Sequence, residues 1–260
     1  MIDISKAFGT PAEPIGDFFQ RPGVGYYIPL YQREYSWTKE NIDQLMEDVI
    51  CGVDALLSND DAIHFMGTVI LVKENNPTDN IRPIDRRALP STINNVIDGQ
   101  QRISSIALLA CILYQLIYNI QIKLPKSEEK FDELREEAEN KLATLKEMFS
   151  VDIRRGNPKR KPIIVRGSVD GWTFDGPDKL NYRSEVSSFL AAFSRAVEEV
   201  DPVFPAKPDS STLVGKNISR MMFYLSKIQK AHQLDDSIIA FPPAWKILES
   251  IDEKHIWSYP

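Results

Sequence analysis

The chain has 260 residues, 43% hydrophobic and 26% charged, an ordinary globular composition with length for one large domain or two small ones. A formal net charge of -6 excludes a protein that coats nucleic acid by bulk electrostatics, so any DNA contact must be local. The two cysteines, Cys51 and Cys111, each fall inside an apolar helical pattern; they exclude a disulfide framework and predict buried thiols in a reducing, cytoplasmic compartment.

The first residues, Met1 to Lys6, lack the basic and apolar regions of a secretory signal. Gly25 to Leu30 is rich in strand formers but carries Pro29, which predicts an edge strand or a strand end. After Tyr31-Gln32-Arg33-Glu34-Tyr35-Ser36-Trp37, Thr38 reads as a helix N-cap with Glu40 in the first turn. Ile42, Leu45, Met46, Val49, Ile50, Val53 and Leu56 then follow at helical spacing as far as Leu57. Ile63 to Val72 reads as a strand broken by Gly67, and Ile93 to Ile97 as a second strand able to pair with it around the polar excursion Lys73 to Ser91. His64, in the first of these, reads as structural or pocket-lining. Asp98-Gly99 closes the second strand, and an apolar helix runs from Gln101 to Ile122. Its length approaches a membrane span, but Ser104, Ser105, Gln115, Asn119 and Gln121 interrupt it, so it is expected to be a core helix with no membrane partner.

Beyond Pro125 the composition changes, and the boundary is placed there: a core over 1–124 and a mostly helical extension over 125–260. Ser127 to Met148 is a Glu- and Lys-rich helix with a narrow apolar stripe, Pro162 to Arg166 is a short strand, and helices are expected over Leu180 to Val200 and Leu213 to Ala231. Between the first two, Arg154, Arg155, Lys159, Arg160, Lys161 and Arg166 form an acid-free basic run, which is either a DNA contact or a solvated loop. Arg82, Arg86 and Arg87 make a smaller cluster. The end, His255 to Pro260, reads as either a truncated chain or a docked tail. Overall the expected class is α+β.

The chemistry concentrates at Asp98-Gly99-Gln100-Gln101-Arg102. A strand, a glycine and a long helix place unpaired backbone N–H groups at the positive end of a helix dipole, where an anion is favoured. Gly99 would let a phosphate approach the backbone, Arg102 could donate a fork of hydrogen bonds to it, and Asp98 could hold Mg²⁺ or orient a water. The plainer alternative is that Asp98 caps the helix and Arg102 pairs with a surface acid. The Tyr31 to Trp37 string supplies aromatic rings, an amide and a guanidinium suited to stacking on a base and bonding its edge; alternatively, Tyr35 and Trp37 staple the following helix.

Taken in order, Ile28-Pro29-Leu30-Tyr31-Gln32-Arg33-Glu34-Tyr35-Ser36-Trp37, Phe65-Met66-Gly67-Thr68-Val69 and Val96-Ile97-Asp98-Gly99-Gln100-Gln101-Arg102-Ile103-Ser104-Ser105 closely resemble the N-terminal domain of GmrSD-type restriction proteins. Lys161 to Arg166, with Asp170 and Trp172, looks like a weaker continuation. The resemblance implies a small ParB- and sulfiredoxin-like mixed sheet with helices, followed by a mostly helical subdomain. In those relatives a Gly-x-x-Arg helix start holds nucleotide phosphates, and Gly99 and Arg102 match it. It further implies that Asp98, Gln100, Gln101 and Arg102 are the NTPase motif, with Asp98 as metal ligand, and that Tyr31, Gln32 and Arg33 contact a nucleotide base or modified DNA. Gly99, Arg102 and Ser104 would line the nucleotide. Ser104-Ser105 stands where the family more often has two threonines, which keeps the hydroxyls.

The implied function is an NTP-binding and NTP-hydrolysing sensor in the restriction of modified, typically phage, DNA, with Mg²⁺ or another divalent cation, acting as a monomer or homodimer. Its DNA contacts would be Arg33, Arg154, Arg155, Lys159, Arg160 and Lys161. Two alternatives stand beside it: a DNA-binding module whose nucleotide pocket is regulatory or degenerate, and a metal-dependent nickase using Asp98, Glu34 and His64. A separate nuclease segment or partner is expected, because His64, His232 and His255 form no HNH-type ligand pattern and Asp252-Glu253-Lys254 lacks the strand and earlier acid of other nucleases. Gly215-Lys216-Asn217 is no Walker A sequence.

Overall fold

The computed structural model describes residues 12–59, 62–125, 129–153, 159–173, 181–199 and 208–231, and the backbone of 255–258. Arg154, Arg155, His232 and Asp252 to Lys254 lie outside these residues.

A four-stranded mixed sheet, α+β as expected, carries the architecture. Its order is β4 (Ile70–Lys73), β5 (Thr92–Asp98), β2 (Val24–Ile28), β8 (Ile164–Arg166). β4 runs antiparallel to β5, whereas β2 is parallel to both β5 and β8. Pro29 marks the end of β2, not an edge: every residue of β2 is buried, and the strand stops one residue short of the proline because a central strand needs its N–H groups. The predicted strand Ile63 to Val72 divides into β3 (His64–Thr68) and β4, and β4 does pair with β5 around the long loop. A second sheet has the backbone order β1 (Ala12–Pro14), β9 (His255–Ser258), β3.

The helices follow their periodicity. α2 (Lys39–Ser58) buries Ile42, Leu45, Met46, Val49, Val53 and Leu56, and the Thr38 N–H donates to Asn41 Oδ1 at 3.0 Å to close its first turn. Cys51 projects from the opposite face and is exposed, which corrects the expectation of two buried thiols; only Cys111 is interior, and burial pushes its thiol pKa well up. α4 (Gln100–Gln121) is buried on every face from Ile103 to Tyr114, as a core helix should be. It packs against α5 (Asp132–Phe149), so its apolar length is consumed by protein contacts.

β8 completes the sheet beside β2, and one hydrophobic cluster runs from Ile15 to Ile228. The predicted strand Pro162 to Arg166 is instead two, β7 (Arg160–Pro162), which pairs with β6 (Ser150–Asp152), and β8. Trp172 is fully buried and donates its indole N–H to the Pro162 carbonyl at 2.8 Å, tying the β7–β8 turn to the next loop. Two short helices, α1 (Ile15–Phe19) and α3 (Pro77–Asn80), complete the N-terminal part. The last two are α6 (Glu185–Glu198), capped by Ser184, and α7 (Leu213–Ala231); the expected start at Leu180 lies outside the described residues.

Candidate functional site

The three parallel strands β5, β2 and β8 end on the same side of the sheet, and the chain leaves them in opposite directions. The loop after β2 crosses towards β5, while the loop after β8 turns to α6. Such a divergence opens a crevice beyond the carboxyl ends of the strands, which is where open α/β sheets bind ligands. Here the crevice is a cleft of about 270 Å³, with Ile28 and Ile164 at its base, Arg33, Gln100 and Gln101 on one wall and Arg166 and Arg183 on the other. That volume lies near the lower end of small-molecule pockets, roughly 300–1,000 Å³.

The β5-side wall is built by two of the sequence motifs binding each other. Gln101 uses both ends of its amide: Nε2 donates to the Glu34 carbonyl at 2.9 Å and Oε1 accepts the Ser36 N–H at 2.8 Å. Gln100 Nε2 donates to the Arg33 carbonyl at 3.1 Å, and Gln32 Nε2 donates to the Ile97 carbonyl at 2.6 Å. Tyr35 completes the clamp, since its hydroxyl meets Ser105 Oγ at 2.8 Å and accepts from Asn217 of α7 at 3.1 Å. Burial raises the Tyr35 phenol pKa, so the hydroxyl keeps the proton this network needs. Trp37 and Tyr35 are partly buried and pack on the core. Tyr31, by contrast, is 72% exposed and stands outside the cleft.

The same helix start splits the Asp98 to Arg102 string between two sides. Gln100, Gln101 and Ser104 face the cleft. Asp98 and Arg102 face the β3–β4 side, where Arg102 donates to the Thr68 carbonyl at 2.9 Å. Burial lowers the Arg102 pKa, while the charges of Asp98 and Asp48 act to raise it, so its charge is balanced by acids of the protein itself. Asp98 is not the cap of α4; Gly99 is, with φ of 86°. The space beside Gly99 expected for a phosphate is filled by protein: a Cβ there would lie 2.9 Å from Val69 Cγ2 and 3.2 Å from the Thr68 carbonyl oxygen. Gly67 in turn makes room for the Arg102 guanidinium, whose carbon would lie 2.7 Å from a Cβ. Gly99→Ala therefore combines a left-handed backbone with a close contact. Its expected cost is about 1–3 kcal/mol, read as a lowered urea midpoint; an unchanged midpoint would contradict it.

The facing wall depends on Asp170, which is 1% exposed. Its carboxylate accepts the backbone N–H groups of Arg166 at 2.9 Å, Arg183 at 2.7 Å and Ser184 at 2.8 Å, and the hydroxyls of Ser184 and Ser187. One buried acid thus fixes the backbones of both arginines and the first turn of α6. Arg166 reaches across the cleft mouth, donating to the Gln32 carbonyl at 3.1 Å and standing 3.6 Å from the Glu34 carboxylate. Sequence reasoning placed Arg166 in a basic run, at the end of a short strand and in the weaker family continuation, and did not single out Arg183. The signals available were the Asp170-x-Trp172 pair and the Arg183-Ser184-Glu185 helix start.

Two buried polar atoms on the cleft make no hydrogen bond among the described residues: Gln100 Oε1 and Arg166 Nε. Native interiors rarely leave such groups unsatisfied, and one accepted explanation is a ligand or water that belongs there. Among the described residues no three His, Cys, Asp or Glu side chains converge as a metal site. Asp98, the expected metal ligand, is thus not part of such a group. The nickase trio is likewise not gathered in the cleft, which has Glu34 but neither Asp98 nor His64 among its lining.

Three of the described residues of the basic run, Arg160, Lys161 and Arg166, are drawn into the protein. Lys161 is 3% exposed, Arg160 pairs with Glu147 and donates to Ser150, and Arg166 belongs to the cleft. Adjacent residues of β7 point to opposite faces, so Lys161 is buried while Arg160 is held at the surface by its partners, which leaves Lys159 as the exposed cation of the described part of the run. Of the smaller cluster, Arg82 donates to the Thr78 and Ile81 carbonyls and Arg87 pairs with Asp85.

The family model described as "GmrSD restriction endonuclease, N-terminal domain" matches residues 15–239. No curated protein matches the chain at a significant level.

Proposed function

The chain belongs to the GmrSD restriction endonuclease N-terminal domain family and is thereby part of a restriction and defence protein, and within that role we propose that it is the NTP-binding sensor unit. The nucleotide occupies the cleft between β2 and β8. The observation that carries this reading is the pair of unsatisfied buried atoms, Gln100 Oε1 and Arg166 Nε, opening on one cavity at the carboxyl ends of parallel strands. Binding of nucleotide alters the loop from Gln32 to Trp37, because Arg166, Gln100 and Gln101 hold that loop directly. Nuclease chemistry falls to another segment or partner, and modified DNA is the signal that the sensor reports.

Hydrolysis is the finer part of the proposal. Glu34, whose side chain is 81% exposed at the cleft mouth, is the ion-pair partner of the Arg166 guanidinium and the group that would orient a water. Gln101 has no free end for that task while the loop is docked. The full engagement of Gln101 favours a second reading in which the cleft binds nucleotide as a regulator without turning it over.

Phosphate release from Mg²⁺-NTP separates these readings. Turnover lost in Glu34→Gln and Arg166→Met supports hydrolysis in the cleft. Loss confined to Asp98→Ala and Arg102→Ala moves the chemistry to the β3–β4 side. Equal turnover in all variants ends the hydrolase reading and leaves the regulatory one.

A further inference from the structure

The donors and acceptors of the cleft are sorted by wall. On the β5 side, Gln100 Nε2 is committed to the Arg33 carbonyl at 3.1 Å, which settles the orientation of the amide and leaves Oε1, a pure acceptor, as its unpartnered end. Gln100 is 6% exposed, so water does not compete freely for that atom. An acceptor in a dry site repels a phosphate oxygen and demands an N–H or O–H. Across the cleft the unpartnered atom is Arg166 Nε, a charged donor, and it demands an acceptor. Arg183 adds a second guanidinium on that wall, beside the N-terminus of the fourteen-residue helix α6.

Resting on the nucleotide reading above, we propose that the nucleotide lies across the cleft with its phosphates on Arg166 and Arg183 and with a ribose hydroxyl or base N–H donating to Gln100 Oε1. This polarity is the reverse of the one that the Gly99 to Arg102 string implies. Gly99 and Arg102 are unsuited to the phosphate end, because the space at Gly99 is closed by Val69 and Thr68 and Arg102 is turned to the Thr68 carbonyl. Arrival of the phosphates displaces the Glu34 carboxylate from Arg166, a long pair at 3.6 Å whose acid is mostly solvated and therefore weakly held. Glu185, the other acid on this wall, accepts the Val214 N–H at 3.0 Å and is occupied. Asp170 acts as a positioning residue, since it joins the backbones of the two arginines without itself facing the ligand.

The test titrates the full chain with a non-hydrolysable β,γ-imido NTP in Mg²⁺ and uses inorganic tripolyphosphate as competitor. Arg166→Met and Arg183→Met are each expected to weaken the analogue roughly 10- to 100-fold and to abolish competition by tripolyphosphate, the scale of a lost charge-assisted hydrogen bond. Gln100→Leu is expected to weaken the analogue while leaving tripolyphosphate binding at the wild-type level, and Arg102→Met to leave that competition intact. Arg183 is exposed, so its variant carries the prediction even where Arg166→Met disturbs folding. Competition that survives both arginine changes and disappears in Arg102→Met overturns the proposed polarity, as does a wild type that binds the analogue without competition from tripolyphosphate. A wild type that binds no nucleotide at all overturns the functional reading, and the polarity with it.

Discussion

Replacing Asp170 with alanine is expected to destabilise the fold by about 3–5 kcal/mol, the scale for removing one partner from a buried charged network. Asp170 receives three backbone N–H groups and two hydroxyls at a site that is 1% exposed, so their loss of a partner cannot be made good by water. The backbones released are those of Arg166 and Arg183, so nucleotide affinity falls together with stability. Asp170→Asn keeps an acceptor and is expected to recover part of both. Urea unfolding reads the first effect and titration with an NTP analogue the second. A midpoint unchanged in the alanine variant would show that the network contributes nothing net.

The second large effect is expected at Gln101. Gln101→Leu preserves much of the side-chain volume but leaves the Ser36 N–H and the Glu34 carbonyl without their partners, at a cost of about 1–3 kcal/mol. The damage is local by construction, because the loop from Gln32 to Trp37 is a surface connection whose hold on α4 is polar. Amide exchange should therefore accelerate at Ser36 while α4 from Ile103 to Tyr114 stays protected. The wall carrying Arg33 and Glu34 loses its register with Arg166, and nucleotide affinity drops without any direct contact having been removed. Exchange at Ser36 as slow as in wild type would mean that Tyr35, held by Ser105 and Asn217, suffices to dock the loop.

The elements that were legible in the sequence are those whose cause is local. The apolar period from Ile42 to Leu56 gave α2, and α7 has the predicted bounds Leu213 and Ala231. Pro29 located the end of β2 but not its position in the sheet, because position depends on β8, a strand more than a hundred residues away. Cys51 shows a smaller limit: it sits one residue from Ile50 and Gly52 in an apolar stretch, yet the turn of the helix carries it to the solvent face.

For the candidate site, the sequence singled out a helix start whose residues the structure divides between two sides. Gln100, Gln101, Ser104 and Arg33 do gather at one cleft, whereas Gly99 and Arg102 of the same string pack α4 against β3 and β4, and Asp98 is exposed. Successive residues in the first turn of a helix point about 100° apart, so five neighbours cannot all face one ligand. Arg166 and Arg183 were hidden for the opposite reason. They lie far apart in sequence, and only the buried carboxylate of Asp170 brings their backbones together.

The most direct measurement is a crystal structure of the chain with a non-hydrolysable NTP and Mg²⁺. The account predicts electron density for the triphosphate between Ile28 and Ile164, within hydrogen-bonding distance of Arg166. Density seated instead between Asp98 and Arg102, with the Gln100 amide still facing an empty cavity, would contradict it.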